Sequence, residues 1–294
     1  MAKTKWAKYK SHQGPINKGS VKFNPAPPWG NWTKIMGVVA RCEGNHDTVV
    51  MYDGTGVTFG YMQWTFTSGR LQKLLESLKS VPYYDFESES DVDNLFDLYC
   101  CNKGKQVFEK YGFKIVNGKF FDTALGKPLD PRKHKKRIVD VCLGKTLHKT
   151  FKRQRSHAIA LANLFVKLGG EFGVPEVQIS FAKDEFKRHL NYKRRPLGKI
   201  RTIRKLLGDS WDTPLPALFF NLWQNNPGAA YRLFIRAGNN ASNVDEYFEL
   251  AWRYANRSRF GNWGWGKPGN KSPRVARIKK AIKEFYGINL PYHK

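Results

Sequence analysis

The chain has 294 residues, 41% of them apolar and 14% aromatic, enough to bury a sizeable core and unlike a disordered chain. Its formal net charge of +27 steers it towards polyanions; nucleic acid, anionic membrane and the anionic polymers of bacterial envelopes all qualify. Four cysteines, Cys42, Cys100, Cys101 and Cys142, are too few for a disulfide framework and form no CxxC zinc pair, so reduced, mostly buried thiols and no metal or cofactor are expected.

Residues 1–29 read as a basic arm, rich in Lys, Gly and aromatics and ending in the extended stretch Pro25-Ala-Pro-Pro28. Its first ten residues are cationic with no apolar segment behind them, unlike an ordinary secretory signal. Residues 30–43 have helical spacing, with Ile35, Met36, Val39 and Cys42 on one face and Gly44-Asn45 as the stop. Val49 to Tyr52, then Asp53-Gly-Thr-Gly56, then Val57 to Tyr61 predict a β-hairpin with a glycine-rich turn. Residues 67–80 return to a helical pattern through Leu71, Leu74, Leu75 and Leu78.

The middle is mainly helical. Residues 89–111 carry Val92, Leu95, Phe96 and Tyr99, and Asn117-Gly118 marks a small hairpin within 113–130. A basic stretch at 132–155 leads into an amphipathic helix that stops at Gly169-Gly170, and another basic helix is expected at 180–192. Further helices are predicted at 214–224, 227–237, 243–256 and about 273–286, with Pro227 suited to a first helical turn. The aromatic glycine-rich loop Arg259-Phe-Gly-Asn-Trp-Gly-Trp-Gly266 precedes the last of them. No apolar run reaches the length of a membrane span. The expected fold class is α+β, mainly α, with an arm at 1–29, one body at 30–294 and a helical insertion at about 81–210.

The chemistry-bearing segment is Cys42 to Trp64. An acid, Glu43, ends a helix, and a glycine-rich hairpin presenting Asp53, Thr58 and Gln63 follows at once. Glycosidic cleavage needs such an inventory. One carboxylic acid protonates the leaving oxygen, and a second group positions water, attacks, or stabilises the cation-like transition state. The negative pole of a helix disfavours ionisation, so its C-terminus suits an acid that must stay protonated.

Glu43-Gly44, Tyr52-Asp53 and Gly56-x-Thr58-x-Gly60-Tyr61 resemble the phage lysozyme pattern Glu-Gly, Tyr-x-Asp, Gly-x-x-Thr-x-Gly-Tyr, with the T4-type spacing of fifteen residues from Glu to Thr. One residue fewer separates glycine from threonine here, so the hairpin turn differs. Gly60-Tyr-Met-Gln-Trp64 also resembles the Gly-Leu-Met-Gln motif of soluble lytic transglycosylases and goose-type lysozymes, which usually carry Glu-Ser where this chain has Glu43-Gly44. The resemblance covers roughly residues 30–80. It implies a lysozyme-like fold with a small β-hairpin beside the catalytic helix and an enlarged helical lobe. It implies Glu43 as general acid, Asp53 as second carboxylate with Asp47 as the alternative, and Thr58 holding the water. Gln63 would line the cleft; Tyr61 and Trp263 are further candidates for substrate contact, Tyr61 being equally a packing residue.

The implied function is a muramidase acting on the N-acetylmuramic acid–N-acetylglucosamine bond of peptidoglycan, as a phage endolysin or a virion-associated lysozyme. It would be made in a host cytoplasm and act on the wall in the periplasm or from the virion, as a monomer, with anionic envelope polymers as further partners. Two alternatives stay open. A lytic transglycosylase cleaves the same bond with one acid and forms an anhydro sugar. A basic nucleic-acid-binding virion protein without catalysis would suit the arm of interleaved Lys and aromatics. A chitosanase on the same scaffold is disfavoured, because chitosan is itself cationic.

Overall fold

The computed structural model describes residues 16–17, 19–23, 30–51, 55–83, 94–103, 108–109, 112–143, 155–190, 207, 211–257 and 273–290. The short strands among the described residues are β1 (Ile16–Asn17), β2 (Val49–Val50), β3 (Thr58–Phe59), β4 (Trp64–Thr65), β5 (Phe113–Val116), β6 (Lys119–Asp122) and β7 (Lys127–Pro128). The α-helices described are α1 (Asn31–Glu43), α2 (Arg70–Ser77), α3 (Lys135–Cys142), α4 (Arg155–Gly169), α5 (Val174–Leu190), α6 (Leu215–Asn225), α7 (Pro227–Asn239), α8 (Val244–Arg257) and α9 (Pro273–Tyr286). The chain is thus α+β and mainly α. Among the described residues no single helix is long and apolar enough to cross a membrane.

The chain divides into two compact units, Met1–Lys22 with Gly44–Phe181 and Phe23–Glu43 with Ala182–Lys294. This differs from an arm followed by one body. Ile16 pairs with Val50 and Asn17 with Val49, so part of the expected arm is a strand of the first unit. Helix α1 packs on α6 and α9, which assigns it to the second. Residues 81–210, expected as a helical insertion, are divided between the units and include a second sheet.

In the first unit the order β1-β2-β3-β4 is antiparallel throughout, with Val49 opposite Phe59 and Phe59 opposite Trp64. The second sheet is the predicted 113–130 hairpin with one strand added. Asn117 and Gly118 both take positive φ, 49° and 65°, as the tight two-residue turn between β5 and β6 requires. Pro128 sits on β7, at the sheet edge, where a missing N–H is tolerated. Phe113 and Ile115 point inward while Lys114 and Val116 point out, the period-2 pattern of a half-buried strand. Their core is aromatic. Phe66 meets Phe120 edge-on at 5.1 Å, Phe113 stacks on Phe120 at 4.8 Å, and Phe59 contacts Phe165 of α4 at 5.2 Å.

Within the expected helical segment 89–111, of which 94–103 and 108–109 are described, Asp97–Asn102 is π-helical, and the Lys103 amide donates to the Leu98 carbonyl five residues back. Helix α4 stops at Gly169 as predicted, and α5 starts earlier than predicted, at Val174.

In the second unit the predicted C-terminal helices are present at nearly the predicted positions. Asn226 caps α7 by accepting from the Ala229 amide at 3.0 Å, with Pro227 in the first turn. Phe186 stacks on Phe220 at 3.8 Å, and Phe219 meets Phe234 at 5.0 Å, so rings from α5, α6 and α7 fill this core.

Candidate active site

Glu43 is the last residue of α1 and is half-buried. The predicted face of Ile35, Met36, Val39 and Cys42 is buried, which fixes the roll of the helix that carries it. Two residues earlier, the Arg41 guanidinium reaches Glu284 of α9 at 2.7 Å and lies over the Phe285 ring. The hydrogen bond from Arg41 holds the Glu284 carboxyl below its ordinary value, so this exposed tether is charged at neutral pH.

Within the first unit, the segment that begins at Gly44 is pinned tightly. The Asn45 amide donates to Thr48 Oγ1 at 2.7 Å. A side chain at position 44 would meet that same Oγ1 at 2.7 Å. Thr48 thus accounts for glycine at this position. The Gly60 amide donates to the Thr48 carbonyl at 2.9 Å, tying the 44–48 turn to the turn between β3 and β4.

His46 and Asp47 lie inside this turn and are buried. Asp47, the alternative second carboxylate, accepts the Ser20 amide at 2.7 Å and the Val21 amide at 2.9 Å, with the Ser20 hydroxyl at 3.2 Å. A buried carboxylate spent on two amides is an anchor for the N-terminal segment, not a base facing substrate. His46 Nδ1 lies 3.0 Å from Gln178 Oε1, and Gln178 Nε2 donates to the His46 carbonyl at 2.9 Å. Because Nε2 must face the carbonyl, Oε1 faces the ring, and the proton of the neutral imidazole is assigned to Nδ1. Burial pushes the His46 pKa down, opposed by that hydrogen bond and by the charges of Glu176 and Asp47.

Thr58 and Tyr61 stand differently from expectation. Thr58 is buried, with its hydroxyl 2.8 Å from that of Thr55, so it does not present an accessible hydroxyl to hold a catalytic water. Tyr61 is fully buried, edge-on to His46 at 5.2 Å and to Trp64 at 5.5 Å, and is a core residue, not a substrate contact. Gln63 is half-buried at φ 53°, and its side-chain amide donates to the Gly60 carbonyl at 2.8 Å. Gly60 needs its glycine twice over. Its φ is +74°, and a Cβ would meet Gln178 Oε1 at 2.8 Å and the Trp64 ring at 2.9 Å. Asp53, Tyr52 and the loop with Trp263 and Trp265 lie outside the described residues.

The structure therefore brings together His46, Tyr61, Trp64 and Gln178 as a buried scaffold. Among the described residues no group of three or more His, Cys, Asp or Glu is placed to hold a metal ion. Gln178 was not singled out from the sequence. Its signal is a polar residue one turn after Val174 and one turn before Ala182, on the buried stripe of a helix. No family model, curated protein or solved structure matches this chain.

Proposed function

We propose that the protein is a peptidoglycan-degrading glycosidase with a lysozyme-like fold, acting at the N-acetylmuramic acid–N-acetylglucosamine bond with Glu43 as the general acid. The observation that carries this reading is the local setting of Glu43. It closes a helix held by its buried face, and the pinned turn at Gly44 leads directly into the antiparallel pair β2–β3 with its Gly56-x-Thr58-x-Gly60 pattern. A carboxylic acid on a fixed backbone can deliver its proton to a glycosidic oxygen along one direction, which is what leaving-group protonation requires. The net charge of +27 supports attraction to an anionic wall, whether the protein is a released endolysin or part of a virion.

With Asp47 committed to backbone amides, Asp53 is the second carboxylate of the hydrolytic reading. The burial of both Asp47 and Thr58 favours a second reading, a lytic transglycosylase. There Glu43 protonates the leaving oxygen and then takes the proton from the substrate's own hydroxyl as that hydroxyl attacks the anomeric carbon. The product is an anhydro sugar, and no second carboxylate is needed.

The test is digestion of purified peptidoglycan followed by mass spectrometry of the released fragments. Fragments with reducing muramic ends support the hydrolase, and fragments lighter by one water support the transglycosylase. Absence of soluble fragments overturns both.

A further inference from the structure

The second sheet keeps one face in the core and turns the other to solvent. Phe113 and Ile115 of β5 and Phe120 and Asp122 of β6 point inward, so Lys114, Val116, Lys119 and Phe121 share the outer face. The strand register brings them together. Lys114 stands directly opposite Phe121, and Phe121 directly opposite Pro128 of the edge strand β7. Val116 stands opposite Lys119 in the next row. Opposed side chains on one sheet face are about 4.5–5.5 Å apart at Cβ, and diagonal ones such as Lys114 and Lys119 about 7–8 Å. Phe121, on the central strand, is therefore flanked by one lysine across the ladder and by another two residues back along its own strand.

Charge and apolar surface are combined on this face. Lys114, Lys119 and Pro128 are exposed, Phe121 is half-buried, and Val116 is 40% exposed. The Lys114 ammonium lies 5.3 Å from the centre of the Phe121 ring, at cation–π distance. No carboxylate shares the face. Asp122 is the one acid in the three strands, and it is on the buried side, paired with Arg137 at 2.6 Å. At the hairpin tip Gly118 leans on Lys73 and Glu76 of α2, and Glu76 is held by Lys79 at 2.9 Å.

We propose that this face is a stacking platform for single-stranded nucleic acid. A base lies on the Phe121 ring in place of the Lys114 ammonium, and the Lys114 and Lys119 ammoniums donate to the flanking phosphates. Charge complementarity selects a polyanion, and the ring selects one with planar groups to stack. The bases of a duplex already stack on one another and leave no free face. An anionic bilayer or an acidic polysaccharide satisfies the lysines but gives the ring no planar partner. Apart from the two ammoniums the outer face has no hydrogen-bonding side chain, so it does not read base edges and tolerates sequence. The site is separate from Glu43 and does not rest on the glycosidase reading.

The experiment is fluorescence anisotropy of the whole chain, across a salt series, with two labelled strands of equal length. One is an oligothymidylate of about 12 nucleotides, within the site sizes of such platforms, and the other is an abasic strand. A chain of net charge +27 attracts both, so the differences between them decide. Wild type should bind oligothymidylate the more tightly. Phe121→Leu keeps an apolar side chain on the strand, and it should weaken oligothymidylate binding about fivefold or more and leave the abasic strand unchanged. Lys114→Gln combined with Lys119→Gln should weaken binding of both strands. It should also lower the slope of log affinity against log salt by about 1.4, at roughly 0.7 per phosphate contact. All three positions are on the outer face, and matched urea midpoints will show that the variants are folded. The proposal is overturned by equal wild-type affinity for the two strands, by a Phe121→Leu effect that is absent or is the same on the abasic strand, or by an unchanged salt slope in the double-lysine variant.

Discussion

Gln178 and His46 are 132 residues apart in sequence and bonded twice, side chain to ring at 3.0 Å and side chain to backbone at 2.9 Å. The pair fastens helix α5 to the turn that follows Glu43. Gln178→Leu leaves a buried ring N–H and a buried carbonyl without that partner. A loss of about 1–3 kcal/mol is expected, read as a lower urea midpoint with unchanged slope. Gly60→Ala, which places a methyl against the same glutamine, should destabilise in the same assay through its positive φ and the close contact.

The same histidine sets a pH dependence. Burial lowers its folded pKa below the ordinary value of roughly 6.5. Between the two values the unfolded chain binds the extra proton, so the stability contribution is complete above roughly pH 6.5 and is lost as pH falls towards the folded value. Denaturation midpoints measured across this window should fall more steeply for the wild type than for His46→Gln. Parallel curves would show that His46 is not the group responsible.

Asp47 separates anchoring from catalysis. Asp47→Asn keeps the shape but loses the charge of a carboxylate bonded to the Ser20 and Val21 amides, at a cost of about 1.5–3 kcal/mol. The folded fraction should retain its specific activity on peptidoglycan. A variant of normal stability with abolished activity would return Asp47 to the catalytic set.

Asp122 is fully buried and paired with Arg137 at 2.6 Å, and its other oxygen accepts the Ala124 and Leu125 amides. Arg137→Met strands that buried charge and should cost about 3–5 kcal/mol. Thermal unfolding of this variant beside the exposed Arg41→Met should show a far larger loss for the former.

The helical frame was legible because its signals are local. Pro227, the Gly169-Gly170 stop and the apolar face of α1 each specify a boundary or a side without reference to distant residues. Asn117-Gly118 specified its hairpin in the same way. The site was legible only as far as the position of Glu43 on its helix. Thr58 and Tyr61 carry the right residue types in the right order, yet Tyr61 packs on His46 and Trp64, which are themselves covered by Gln178 and Phe181 of α5, more than a hundred residues away. Asp47 read as a spare carboxylate because its partners, Ser20 and Val21, lie more than twenty residues upstream in a segment with no periodicity to announce it. Gln178 passed unnoticed because one polar residue inside an amphipathic helix is ambiguous until its neighbours are known.

Release of soluble fragments from purified peptidoglycan by wild type and Glu43→Gln tests the central claim most directly, with matched unfolding midpoints showing that both are folded. Loss of a general acid predicts a fall of about 10²–10⁴-fold in the variant. Equal rates, or no release by either protein, would contradict the assignment of Glu43 as the acid of a wall-cleaving enzyme.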